Sequence, residues 1–211
     1  MEASQEYYIS LIERLRNMPD ETEWLEYKVN NDGPELIGEY ISALSNSATI
    51  CGHETAYMLW GINNETHEIN ETKFSPKQAK IGNEELENWL LRLLKPRIDF
   101  RFTEVNTEKG KVVVLEIPAA VNKPTSFKDI EYIRVGSYKK KLKDYPEKER
   151  KLWLAFETKP FELRPSIENV DSARVTELLD CAAYYTLMNM RWPSSRDAII
   201  HNMVDEQFIR E

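Results

Sequence analysis

Two cysteines and three histidines in 211 residues leave little material for a metal centre built on sulfur or imidazole. Cys51 and Cys181 stand far apart with no CxxC pairing, a pattern that excludes a cysteine-rich zinc site and fits a reducing, cytoplasmic setting. His53 and His67 have no HxxxH-type spacing. Seven glycines form neither GxxxxGK nor GxGxxG, so a phosphate-loop nucleotide hydrolase is excluded. No apolar run approaches the ~20 residues that span a bilayer, and no membrane partner is expected. The opening "MEASQEYYISLIERL" has acids early and no basic segment before an apolar run, so it does not read as a signal peptide. The end at "FIRE" carries no stop signal and reads as a piece of a longer protein.

Acids outnumber bases, 36 to 28. The formal net charge is −8, which argues against non-specific nucleic-acid binding by the whole surface. Yet Arg134, Lys139, Lys140, Lys141 and Lys143 crowd into one stretch, "RVGSYKKKLKD". There Gly136 allows a tight turn, Ser137 and Tyr138 add hydroxyls, and the lysines follow. Backbone donors, hydroxyls and cations are together what phosphate oxygens accept. Tyr132, Tyr138 and Tyr145 supply aromatic faces on which bases stack. The plainer reading is a lysine run that protects a sheet edge.

Hydrophobic periodicity orders the chain. Residues 3–17 read as an amphipathic helix through Tyr7, Ile9, Leu11, Ile12 and Leu15. A strand follows at 23–30, then a helix from Pro34 with Leu36, Ile37, Tyr40, Ile41 and Leu44 on one face. "ETAYMLWGINN" is a strand ending at Gly61, "EELENWLLRLLKP" a helix, and "RIDFRFTEVN" and "KVVVLEIPAA" a hairpin about "TEKG". "EYIRVGSYKKKL" adds a short strand ending at Gly136, and "PEKERKLWLAFE" a helix. This order predicts an α+β fold, a mixed β-sheet with helices packed on it. After Phe156, "TKPFELRPS" reads as a connector to a small helical tail at 172–190 and 195–205, divided by "RWPSS". The expected domains are therefore 1–156 and 157–211.

The strand "ETEWLEYKVN" poses the functional question. Side chains alternate faces on a strand, so Leu25, Tyr27 and Val29 share one face and Trp24, Glu26 and Lys28 the other. Glu26 and Lys28 are expected within ion-pair reach, with Leu25, Tyr27 and Val29 toward the core. The polar face is either solvated or a working surface. Glu21, Glu23 and Glu26 also cluster here. Five residues of straight strand separate Glu21 from Glu26 by about 16 Å on opposite faces, so a shared metal requires a bend before Trp24. Cys51 beside Gly52-His53-Glu54 makes a poor nucleophilic dyad, because adjacent side chains diverge.

Four segments, "ETEWLEYKVN", "YISALSNSA", "AYMLWGINNETHEI" and "KPTSFKDIEYIRVGSYKKKL", with the helix "PEKERKLW", span about residues 15–156. In that combination the chain resembles the Schlafen-type AlbA-like domain (AlbA_2, formerly filed as a divergent AAA domain), often described as a DNA-binding or transcriptional-regulator domain. The resemblance implies an α+β fold related to nucleic-acid-binding AlbA proteins, with a tail like the region leading into a winged-helix segment. It makes nucleic acid the expected partner, DNA before RNA, through Lys28, Arg134, Ser137, Lys139, Lys140 and Lys141, and a homodimer a further possibility. No cofactor is expected on that reading. The resemblance also implies an alternative, a metal-dependent endoribonuclease acting on structured RNA such as transfer RNA, with magnesium or manganese. Its acids correspond to Glu21 and Glu26 in the E-x4-E-x-K pattern that includes Lys28. The third acid position holds Asn63-Asn64, with Asn64 the nearest match, and an amide is a weaker ligand for a hard cation than a carboxylate. Asp32 or Glu65 are the substitutes at hand. Glu71 stands where bacterial relatives commonly carry glycine. A second alternative is an oligomerisation or ligand-sensing module.

Overall fold

The structure, a computed structural model, describes residues 5–18, 22–157, 170–206 and 208–209. It is an α+β protein in two compact units, Met1–Thr158 and Lys159–Glu211. Among the described residues no helix is long and apolar enough to cross a membrane.

The first unit begins with α1 (Gln5–Arg16), which buries Tyr8, Leu11, Ile12 and Leu15. Tyr7 and Ile9, expected on the same face, are exposed instead. Then come β1 (Leu25–Lys28), α2 (Pro34–Cys51) and β2 (Thr55–Trp60). β1 and β2 pair in parallel, with α2 as the crossover that a parallel pair requires. The hairpin β6 (Arg101–Thr107) and β7 (Gly110–Pro118) completes a sheet of order β1-β2-β7-β6. Thr107 and Gly110 flank its turn as the sequence predicts, with the Thr107 hydroxyl donating to the Gly110 carbonyl at 2.7 Å. β2 stops at Gly61, where φ is 89° and a Cβ would lie 2.7 Å from the Lys111 carbonyl oxygen. Only glycine tolerates both conditions.

The strands divide into more than one sheet. A small ribbon joins β3 (Lys80–Ile81) to β4 (Glu84–Glu85), followed by α3 (Leu86–Leu93) and β5 (Leu94–Lys95). A second four-stranded sheet, wholly antiparallel, runs β10-β9-β8-β5, with β8 at Ser126–Phe127, β9 at Ile130–Val135 and β10 at Tyr138–Lys141. The strand expected to end at Gly136 is β9, and the residues after it form a further strand, β10, so "EYIRVGSYKKKL" is a hairpin. Gly136, at φ 59°, and Ser137 form its two-residue turn. A second two-residue turn, Lys128-Asp129, joins β8 to β9 with both φ values positive (50° and 62°). A 3-10 turn (Leu142–Asp144) then leads to α4 (Pro146–Glu157).

α2 lies between the two sheets and is buried almost all round. Ile37, Ile41 and Leu44 join the main core, while the small polar residues of "SALSNSAT" are buried too. Buried polar groups need partners, and here they bond the backbone of β9 and its approach. Asn46 Nδ2 donates to the Thr125 and Tyr132 carbonyls (2.8 and 2.9 Å), and its Oδ1 accepts from Thr125 N–H (2.7 Å). Ser42 and Ser47 hydroxyls accept from the N–H groups of Tyr132 and Arg134, each at 3.0 Å. β8 is only two residues long, so α2 satisfies the stretch of β9 that β8 leaves open. At Gly38 a Cβ would overlap the Phe127 ring, which explains a glycine inside this helix.

The second unit holds α5 (Ser172–Leu178), α6 (Cys181–Leu187) and α7 (Arg196–Asp205). The expected helix 172–190 is broken because Asp180 caps α6, its side chain accepting from Ala183 N–H at 3.0 Å. Cys181, Tyr185, Ile199 and Met203 form a small core of their own.

Candidate functional site

Alternation on β1 places its side chains as expected, but covers both faces. Tyr27 is fully buried and its hydroxyl donates to the Leu15 carbonyl of α1 at 2.6 Å. Leu25 is buried with it, and Val29 is half-buried. On the opposite face Glu26 and Lys28 form the expected ion pair. That face is not a solvated surface, however. Glu26 is 1% exposed, because Arg134 of β9 lies over it and its guanidinium holds the second carboxylate oxygen. Trp24 is also buried, its ring 4.1 Å from that of His53.

This corrects the expectation for Arg134. In sequence it heads the basic stretch. In the fold, strand alternation turns it inward beneath α2 with 0% exposure, so it is a structural counter-charge and not a phosphate contact. Lys139 sits opposite Arg134 in the β9–β10 register and leans toward the same side. There Lys139 pairs with Glu39 of α2, whose other oxygen accepts from the Tyr132 hydroxyl at 3.0 Å. Burial, and then the Glu39 carboxylate, push the Tyr132 phenol up to about 12.

Tyr40 is the centre of this cluster. Lys28 Nζ lies 5.2 Å from its ring centroid, Lys139 Nζ 4.9 Å and the Arg134 guanidinium carbon 5.5 Å. Each cation–π contact contributes from about 0.5 kcal/mol when exposed to about 2 when desolvated. Three cations against Glu26 and Glu39 leave one positive charge in excess. The two carboxylates differ in how firmly they are held. Breaking a fully buried pair such as Glu26–Arg134 costs about 3–5 kcal/mol. Glu39, with its side chain 29% exposed, belongs nearer to surface pairs, which contribute about 0–1 kcal/mol.

Outside the cluster, β10 is a free sheet edge. Ser137, Tyr138, Lys140, Lys141 and Lys143 are all exposed, Tyr138 at 69% with Lys140 Nζ 5.7 Å from its ring centroid. Among the described residues no carboxylate pairs with Lys140, Lys141 or Lys143. Of the aromatics of this stretch, Tyr132 is buried, Tyr145 half-buried and Tyr138 openly exposed.

Of the acids of the endoribonuclease alternative, the described ones are each engaged by other groups of the chain. Glu21 lies outside the described residues. Glu26 has both oxygens engaged by Lys28 and Arg134. Glu23 is held by Lys148 at 2.5 and 2.6 Å and accepts from Gly136 N–H at 3.3 Å, so it braces the β9–β10 turn. Asn63 Oδ1 accepts from the N–H groups of Glu65 and Thr66 (2.8 and 3.0 Å), an amide spent on closing its own turn. Asn64 and Glu65 are exposed beside it. Among the described residues no three His, Cys, Asp or Glu side chains stand close enough to hold a metal ion. Glu26, as it stands between Lys28 and Arg134, has no carboxylate oxygen left over for magnesium or manganese.

Sequence reasoning missed Glu39, Tyr40 as a cation platform, and Lys148. Glu39 has partners that come from 93 and 100 residues further along the chain. No local signal marks such a residue.

Residues 21–143 match the family model described as Schlafen, AlbA_2. No curated protein matches the chain. Among solved structures it is similar to the DIP2311 protein from Corynebacterium diphtheriae, at 14% identity and TM-score 0.40, over 65% of this chain and 30% of that one. It is also similar to the N-terminal domain of a RecG-related protein from Nitrosomonas europaea, at 19% identity and TM-score 0.38, over 61% of this chain and 88% of that one. The matched region thus spans less than a third of the DIP2311 chain.

Proposed function

We propose that this chain, which belongs to the Schlafen AlbA_2 family, is a nucleic-acid-binding module that holds a phosphate backbone along the β10 edge, as part of a bacterial-type transcriptional regulator. One observation carries the reading: a free sheet edge presents Lys140 and Lys141, flanked by Ser137 and Lys143, with no acid among the described residues neutralising them. Cations beside hydroxyls on a rigid strand fix a phosphate backbone without reading bases. The Tyr138 ring offers a stacking face for an unpaired base. Lys28 and Lys139 sit just inside this edge and add positive potential, whereas Arg134 supports the surface from below. DNA is the first ligand to test. The overall charge of −8 confines such binding to this edge and makes it sensitive to salt.

The endoribonuclease alternative requires Glu26 to leave Arg134 and Lys28, and no observation favours it. The test of the proposal is a salt titration with labelled duplex DNA and transfer RNA, comparing the native chain with a Lys140→Ala/Lys141→Ala variant. Each lost phosphate contact flattens the slope of log K against log salt by about 0.9 on duplex DNA, so the pair is expected to remove about 1.8. An unchanged slope would assign the lysine run to edge protection alone.

A further inference from the structure

We infer that Lys139 and the Tyr132 hydroxyl, set against the Tyr40 ring, form a phosphate subsite that the Glu39 carboxylate closes when no nucleic acid is bound. The inference rests on the nucleic-acid reading above and names a residue within it that opposes binding.

The donors are already aimed at an anion. Lys139 Nζ meets one oxygen of Glu39 and the Tyr132 hydroxyl donates to the other at 3.0 Å. An ammonium and a hydroxyl converging on two oxygens of one group is the donor pattern that a backbone phosphate accepts. The donors are also fixed in place. Tyr132 is buried on β9, and Lys139 is opposite Arg134 in register with its ammonium 4.9 Å from the Tyr40 centroid. The Arg134 guanidinium and Lys28 stand against the same ring and hold the local potential positive.

The anion, by contrast, is the part that can leave. Glu39 is 29% exposed on its side chain, whereas Glu26 is sealed beneath Arg134. A carboxylate that rotates outward is rehydrated, and a phosphate then takes over the two donors it vacates. β10 connects this subsite to the edge lysines, since Lys141, two residues on, shares the side of Lys139 by strand alternation. A backbone lying along the edge therefore brings a phosphate to the position that Glu39 guards.

The experiment is fluorescence anisotropy of a labelled 20-base-pair duplex with the full chain across a salt series. Glu39→Gln keeps the shape and removes the charge. It is expected to bind about two- to fivefold tighter, the range that losing an exposed ion pair allows, with a slope steeper by about 0.9. Glu39→Ser is the second variant and is expected to tighten binding likewise. Adding Lys139→Ala should abolish the gain. Glu35→Gln removes one charge from the same helix and should leave affinity near native. Equal tightening by Glu35→Gln, or a gain that survives without Lys139, would overturn the inference by showing a general charge effect. No gain from either Glu39 variant, in a native chain that binds through Lys140 and Lys141, would overturn it and leave the proposed function standing. Absence of binding by the native chain and every variant would overturn both.

Discussion

Glu26 and Arg134 stand 108 positions apart in the chain and meet as a buried ion pair, joining the first strand of one sheet to the second sheet. Lys28 takes the remaining oxygen of the same carboxylate. The pair and Lys28 turn the acid of this strand into part of a cluster with one positive charge in excess.

Removing one partner strands the other. Arg134→Met leaves Glu26 buried with Lys28 alone, and an expected loss of about 3–5 kcal/mol. The double variant Glu26→Leu/Arg134→Met should cost clearly less than the two single losses combined, because no fully buried charge is left uncompensated and Lys28, which loses Glu26, is partly exposed. Urea unfolding of the four proteins measures this. Single losses below about 1 kcal/mol would mean that water reaches the pair.

Asn46 is expected to be the most sensitive polar position of α2. It bonds Thr125 through both its N–H and carbonyl and Tyr132 through its carbonyl. Asn46→Ala deletes three hydrogen bonds and leaves buried backbone groups unmatched, an expected cost of about 2–4 kcal/mol. A shift in the urea midpoint smaller than that of an exposed Asn→Ala control would contradict the accounting.

Glu71 occupies left-handed backbone, at φ 38°, and packs 2.7 Å from where a Cβ on Gly110 would lie. Relief of strain, about 1–2 kcal/mol, is partly cancelled by the freedom that glycine adds to the unfolded chain, about 0.5–1 kcal/mol. Glu71→Gly should therefore raise stability by up to about 1 kcal/mol, read by thermal and urea unfolding. Destabilisation of that size would refute the strain argument.

Tyr132 sets an alkaline limit. Its phenol is raised to about 12 by burial and by Glu39, against about 10 in an unfolded chain. The fold thus favours the protonated phenol. That contribution is fully present below pH 10 and lost as pH climbs toward 12. Urea midpoints at pH 9, 10 and 11 should fall more steeply for the native chain than for Tyr132→Phe. Parallel profiles would show that the phenol titrates freely in the fold.

How much of this was legible beforehand varies from element to element. The "TEKG" hairpin was readable because glycine and a threonine hydroxyl close the turn within four residues. The β8–β9 hairpin was not, because Lys128-Asp129 adopts two positive φ values without the Asn-Gly signature that normally advertises them. Gly136 was recognised as a turn residue that ends a strand, yet the lysines after it were not read as a returning strand, so the separation of Arg134 from the exposed lysines was lost.

From the sequence alone came the α+β class, the pairing of Glu26 with Lys28 and the burial of Leu25 and Tyr27, because strand alternation is a local rule with a period of two. Tertiary structure alone decided what covers each face. Whether Glu26 meets water, a metal or a guanidinium depends on a strand formed more than 100 residues later. Whether Glu39 is a spectator or a partner of Lys139 depends on α2 lying between two sheets. Periodicity reports which side chains share a side. It carries no information about the distant charge that the packed chain brings to that side, and that charge is what separates a cation site from a neutralised one.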